Sequence, residues 1–307
     1  MTPSIRHLAE YALVRLLLTG VLSLGYERSL RVARVVADLF YRVGRKQRKR
    51  ALDNLSNAMP EVDDAGRERI AREAFRTFVR TFLETAWIPR LVRPGRLPPN
   101  ARIVSHPESE RLMRSGRGAV LMTGHFGNWE LTGQMLALDG YPIASVARTL
   151  DNPLLDRYVR RVRERYGMRI ITKEGGVRGM ARALREGRQV ALLVDQSTGR
   201  RGILVDFMGR PASTTPAPAT LALRFDVPVI PGRGYWTGRG DEYVLEIEEP
   251  LMLPRTGRRE EDVRALTLEM NRRLERWLRE YPGQWLWVHR RWKLRRDWFE
   301  TRSEDEP

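Results

Sequence analysis

The chain contains no cysteine. That absence excludes disulfides, thiolate zinc sites and a cysteine nucleophile, and it fits a reducing compartment. Histidine is scarce too, with four in 307 residues. Long hydrophobic runs are missing. From Leu8 to Tyr26 the sequence is apolar except for Glu10 and Arg15, but its charge-free part, Leu16 to Tyr26, falls well short of the ~20 apolar residues a spanning helix needs. No small-residue cleavage site follows, so a secretory signal is not expected. There is no G-x-S-x-G elbow, no G-x-x-x-x-G-K-[ST] loop and no G-x-G-x-x-G after a strand. No second histidine stands at ligand spacing from the first candidate, so no metal is expected.

Positive charge is what the chain has in excess: 55 Lys and Arg against 38 Asp and Glu give a net charge of +17. Such an excess points to anionic partners, namely nucleic acid, an anionic membrane surface, or acidic proteins and phosphorylated substrates. Without zinc-finger spacing or an RNP-type aromatic motif, and with arginines spread over many segments, nucleic acid is not the expected partner. Beyond the apolar N-terminal block, Arg28, Arg31 and Arg34 alternate with Val32, Val35, Val36, Leu39 and Phe40 at helical spacing. This suits a helix in a membrane interface, with arginines toward lipid phosphates. The alternative is an amphipathic helix packed on the protein's own core. "RKQRKR", from Arg45 to Arg50, extends the basic stripe.

Residues 1–95 have helical periodicity throughout, and Asp63 and Asp64 are placed to cap a long helix that ends near Pro89. The proline-rich "RPGRLPPN" (93–100) reads as a connector, and the pattern changes after it. Strand candidates "RGAVLMTG", "PIASVAR", "MRIIT" and "RQVALLVD" alternate with helical segments. A loop from Gln196 to Thr215 is followed by a helix, two strands and a long helix. The expected fold is α/β, a mostly parallel central sheet flanked by helices. An N-terminal membrane-associating helical region (1–95) precedes a catalytic domain (96–307), the two forming one continuous unit.

The richest stretch is "LMTGHFGNWELTGQ", residues 121–134. His125 follows a strand, and Glu130 comes five residues later. Inside one helix such a pair would lie ~140° apart and never meet. Contact requires His125 in a turn and the helix starting near Gly127, with Gly124 and Gly127 giving the turn its freedom. A carboxylate on one ring nitrogen would fix the tautomer and leave the other nitrogen as a general base. A structural histidine satisfied by local hydrogen bonds is the competing reading.

With "DNPLLDRYVRRVR", "VDQSTG" and "PGQWLWVHRRWK", the block "GHFGNWEL" resembles the signature blocks of the bacterial lipid A biosynthesis acyltransferases. These are the late lauroyl and myristoyl transferases, in one superfamily with the mycobacterial phosphatidylinositol mannoside acyltransferase. The resemblance covers nearly the whole chain. It implies transfer of a fatty acyl chain from acyl carrier protein or coenzyme A to a hydroxyl of a membrane glycolipid, with a lipid A precursor first and a phosphatidylinositol mannoside or other lipid as the alternative. It implies His125 as general base, with Glu130 orienting it. Arg163, Asp195, Asn128 and Arg148 are implied as substrate-binding or transition-state-stabilising residues. Asp195 could equally cap the turn that follows it. Arg28, Arg31, Arg34, Trp287, Arg290 and Arg291 are the candidates for membrane or headgroup contact, and an aromatic structural cluster around His289 is the alternative for the C-terminal block. No cofactor beyond the acyl thioester is implied, and the expected location is the cytoplasmic face of the bacterial inner membrane. A non-catalytic basic membrane- or nucleic-acid-binding protein is the reading from another class.

Overall fold

The computed structural model describes residues 3–93, 95–172, 175–252 and 255–293. Four helices open the chain: α1 (Ile5–Ser23), α2 (Tyr26–Val43), α3 (Arg45–Ala58) and α4 (Asp64–Leu91). Asp63 caps α4, its carboxylate accepting from Gly66 N at 2.7 Å. Pro89 sits inside the last turn of α4, and the helix stops two residues later at Leu91. Among the described residues no helix is long and apolar enough to cross a membrane.

The rest is an α/β unit with β1 (Ala101–Ser105), α5 (Pro107–Arg114), β2 (Ala119–Thr123), α6 (Trp129–Leu138), β3 (Ile143–Ala147), α7 (Pro153–Glu164), β4 (Arg169–Thr172), α8 (Gly176–Arg185) and β5 (Gln189–Leu193). A hairpin β6 (Ile203–Phe207) and β7 (Arg210–Thr214) follows, then α9 (Ala217–Phe225), β8 (Val229–Trp236), β9 (Tyr243–Ile247) and α10 (Arg259–Glu280). Seven strands form the sheet in the order β1-β9-β8-β2-β5-β3-β4. Every neighbouring pair is parallel except β8–β9. The mostly parallel sheet flanked by helices is the one expected from the alternating pattern.

Strand β2 shows why both faces need cover. Val120 and Met122 point into one core with Leu55, Phe75, Trp277 and Trp285, while Ala119 and Leu121 point into another with Ile88, Leu131 and Leu245. An unbroken apolar strand is the signature of a sheet buried on both sides. Helix α4 supplies residues to both cores, and α2 and α3 supply Tyr41, Ala51, Leu55 and Ala58 to the first, so these three helices are packed against the sheet.

Two features depart from the sequence reading. The segment 196–215, expected as a loop, contains the antiparallel β6–β7 hairpin. Its turn, Met208 and Gly209, has positive φ at both positions (55° and 71°), the backbone of a type I′ hairpin turn built without the usual Asn-Gly pair. Elements β1 and α5 have no counterpart in the sequence reading. Strand β1 reaches the sheet only through β9, more than a hundred residues downstream, in register Ala101↔Tyr243.

Candidate active site

The two strands at the centre of the sheet determine the site. β2 and β5 are parallel neighbours with Thr123 paired to Leu193. Carrying that register two residues past the strand ends sets His125 opposite Asp195, at the carboxyl edge where α/β sheets gather functional groups. The side chains meet there. His125 Nδ1 lies 2.9 Å from Asp195 Oδ1, and His125 N donates to Asp195 Oδ2 at 2.8 Å. Trp285 Nε1 donates to the same Oδ2 at 2.8 Å.

Asp195 is fully buried, whereas the His125 side chain keeps 20% of its surface exposed. Burial opposes charge on Asp195, but the His125 ring, the His125 backbone N–H and the nearby His289 hold its carboxyl below the ordinary carboxylate range. An ionised Asp195 accepts only, so Nδ1 of His125 carries the hydrogen and Nε2 keeps its lone pair. On that side of the ring Gln196 Nε2 stands 3.4 Å away.

The turn bearing His125 is tightly bound on both sides. Gly127 has φ +51°, and a Cβ there would come within 1.9 Å of Gly234 O, so only glycine fits. Gly127 N donates to Gln284 O at 2.8 Å, its carbonyl accepts from Thr81 Oγ1 at 2.9 Å, and Phe126 points into the core. Asn128 then caps α6, accepting from Leu131 N at 3.0 Å. His125 therefore sits in the turn, and Glu130 in the first turn of α6, as its spacing required.

The expected contact between them is not made. Among the described residues no hydrogen bond joins Glu130 to His125. Glu130 faces α7 and takes a two-pronged pair from Arg163, Nε at 2.9 Å and Nη2 at 2.5 Å. The physical reason is direction: the turn aims His125 at the end of β5, while α6 aims Glu130 at its neighbouring helix. The orienting carboxylate is Asp195, and Glu130 and Arg163 form a second, separate pair.

Other expected residues divide. Asn128 is fully buried, and its Nδ2 donates to Glu84 Oε2 at 2.8 Å, so it is a cap and not a substrate contact. Arg148 is exposed just past β3 and pairs with Asp151 at 3.2 Å. Arg28, Arg31, Arg34 and Arg290 are exposed. Trp287 and Arg291 are both fully buried, which removes them from any lipid surface. The Trp287 indole donates to Pro282 O at 2.7 Å. Arg291 reaches Ser213 O, Thr214 Oγ1 and Asn271 Oδ1 and lies over the Phe207 ring; burial lowers its guanidinium to about 10.

Three site residues are not among the site candidates singled out from the sequence: Trp285 and Gln196, which lie inside the signature blocks, and Asn54. The Asn54 amide, from α3, donates to Trp287 O at 2.7 Å and His289 O at 2.9 Å. His289 is thereby held against His125, ring centroids 4.7 Å apart. His125, Asp195 and His289 have ligand-type atoms within 4.8 Å of one another, a spacing that a cation could bridge. A cation bound to Asp195 would have to displace the three N–H groups its oxygens accept from.

Residues 1–294 match the model of a family described as bacterial lipid A biosynthesis acyltransferase. The chain is 25% identical over 256 residues to the lipid A biosynthesis myristoyltransferase of Escherichia coli, covering 83% of this chain and 78% of that protein. It is 26% identical over 227 residues to the phosphatidylinositol mannoside acyltransferase of Mycolicibacterium smegmatis, covering 73% of this chain and 72% of that protein. The corresponding protein of Mycobacterium tuberculosis is 28% identical over 184 residues, 59% of this chain and 56% of its own length.

Proposed function

The chain belongs to the bacterial lipid A biosynthesis acyltransferase family, and on that premise we propose that it moves a fatty acyl chain from an acyl thioester to a hydroxyl of a membrane glycolipid. The donor is acyl carrier protein or coenzyme A, and the acceptor of first choice is a lipid A precursor. One observation carries the reading: His125 is bonded through Nδ1 to the fully buried Asp195, while its ring stays partly exposed with Nε2 beside the exposed Gln196.

The chemistry follows from that arrangement. The acceptor hydroxyl gives its proton to His125 Nε2 as its oxygen attacks the thioester carbonyl. The carbonyl electrons move onto oxygen; on collapse the C–S bond breaks and the thiolate takes the proton back from His125. Asp195 stabilises the imidazolium between these steps. No acyl-enzyme is needed, in keeping with a chain that has no cysteine. Arg163, fixed by Glu130 through two of its five N–H groups, is the candidate contact for an acceptor phosphate or the developing oxyanion.

Membrane association has its support in the N-terminal helices. Helix α1 buries none of its residues and leaves Ile5, Leu8, Leu13, Leu16 and Leu17 exposed. Helix α2 packs through Ala33, Ala37 and Tyr41 but exposes Val35, Val36, Leu39 and Val43 near Arg28, Arg31 and Arg34. Apolar side chains flanked by arginines suit an anionic bilayer surface, and they support the reading of an enzyme that works at the cytoplasmic face of the inner membrane. Replacing Leu16 and Leu17 together by Glu is expected to weaken binding to phosphatidylglycerol-containing vesicles ~10–100-fold in flotation assays. Wild-type binding is expected to fall with added salt.

The acceptor is tested directly. Purified enzyme is incubated with labelled acyl carrier protein or acyl-CoA thioester and either a lipid A precursor or a phosphatidylinositol mannoside, and products are weighed by mass spectrometry. Acylation of the lipid A precursor is expected. Acylation of the mannoside alone supports the second reading, which the similarly close mycobacterial relatives favour. No acyl transfer by folded enzyme to either overturns the proposal.

A further inference from the structure

A second imidazole stands beside His125. His289 arrives from the far end of the chain, and its placement is built. Its backbone carbonyl is gripped by Asn54 of α3 and its N–H donates to Leu286 O at 3.2 Å. Its ring packs edge-on against His125 at 4.7 Å and lies 6.5 Å from the Trp285 ring. None of the steps derived above uses it.

The amide of Gln196 shows what these two rings can hold. Its Nε2 lies 3.4 Å from His125 Nε2 and 3.5 Å from His289 Nε2, so a single polar atom placed there touches both rings. Gln196 is exposed, on the loop after β5, and among the described residues its amide makes only these two long contacts. A group that bonds better at the same point displaces it at little cost.

We propose that His289 is an acceptor-binding residue: with His125 it forms a two-point seat for the hydroxyl oxygen of the acceptor, which takes the place of the Gln196 amide. The inference rests on His125 being the general base. The hydroxyl donates its hydrogen to His125 Nε2 and accepts one from His289 Nε2–H. That directs an oxygen lone pair away from both rings, toward the thioester carbonyl. As the proton passes to His125, the oxygen gains negative charge and the bond from His289 strengthens, which is the behaviour that lowers a barrier. His289 donates a hydrogen bond and keeps its proton throughout, so the balance of the transfer is unchanged.

Neutrality of the second ring is part of the arrangement. Burial pushes His289 down to about 4, with His125 and Arg291 adding to the effect and Asp195 opposing it. At neutral pH the ring therefore has one N–H and one lone pair, and it exchanges between its tautomers through water. A charged ring in that position would oppose the positive charge that His125 acquires. The neutral imidazole as hydrogen-bond donor has a precedent in triosephosphate isomerase.

The test varies acceptor concentration at saturating acyl thioester for wild type, H289L, H289Q and H125Q. H289L is expected to lower kcat/KM for the acceptor ~30–100-fold, with the KM of the acyl thioester unchanged within about twofold. H289Q, whose amide N–H reaches the same oxygen, is expected to recover to within about fivefold of wild type. A purely structural role predicts equal losses in both variants and a lowered melting temperature in both. Should H289L fail to fold, H289N replaces it, since its shorter amide ends short of the seat and loses as much. The proposal is overturned if the non-donating variant stays within threefold of wild type, or if H289Q is no better than it. Full activity in H125Q overturns the general-base reading and this seat together. An inactive H125Q beside a normal H289L removes only the role of His289.

Discussion

His125→Gln is expected to fold and to transfer acyl groups ~10³–10⁴-fold more slowly than wild type. Folding should survive because the ring is partly exposed and its one strong side-chain bond is to Asp195. Without the ring, Asp195 keeps two donors, the backbone N–H of residue 125 and the Trp285 indole. Glutamine has no lone-pair nitrogen to accept a proton near neutral pH, so the acceptor would have to attack as a neutral hydroxyl. Single-turnover transfer from a labelled thioester, read beside an unchanged thermal melt, checks this. A rate within tenfold of wild type would remove His125 from the chemistry.

Asp195→Asn is expected to cost nearly as much, ~10³–10⁴-fold in kcat, for a reason that geometry makes specific. Asp195 Oδ2 accepts two N–H groups, from His125 N and Trp285 Nε1, while Oδ1 faces His125 Nδ1. An asparagine satisfies the two donors by placing its single oxygen at the Oδ2 position. Its NH2 group then points at Nδ1 and donates to it, which forces the ring hydrogen onto Nε2. The base would be present, correctly placed and in the wrong tautomer. Acceptor KM should change little, since the acceptor does not reach the buried carboxyl. The opposite split, an unchanged kcat with a raised KM, would assign Asp195 to binding.

Much of this site can be read from local sequence, and the rest cannot. The strand-turn-helix around His125 is legible because "AVLMTGHFGNWEL" carries its own punctuation, a buried strand and two glycines before the helix; the capping role of Asn128 emerges only from the structure. The partner of His125 is not legible locally. Glu130 is near in sequence, but Asp195 is near in space, and the difference is the order of strands in the sheet, where β5 lies beside β2 although β3 and β4 come between them in the chain. Once the alternating pattern is read as a parallel sheet, the acidic residue after each neighbouring strand becomes the natural candidate. The C-terminal block misleads for another reason. Its tryptophans and arginines have the composition of a lipid-facing belt, but Trp285, Trp287 and Arg291 are buried by contacts from α3, α10 and the β6–β7 hairpin. Composition cannot distinguish an aromatic cluster inside the protein from one at its surface. The apolar side chains of α1 and α2 are the reverse case, since the structure leaves them exposed.

The central claim is that Asp195 acts through His125. A double-mutant cycle in single-turnover acyl transfer tests it most directly, comparing wild type, H125Q, D195N and H125Q/D195N. If the carboxylate works only by holding the tautomer and charge of that ring, removing it from an enzyme that already lacks the ring costs nothing more. The double variant should then be within about threefold of H125Q alone. Losses that multiply across the two substitutions would contradict the account and show that Asp195 contributes independently of His125.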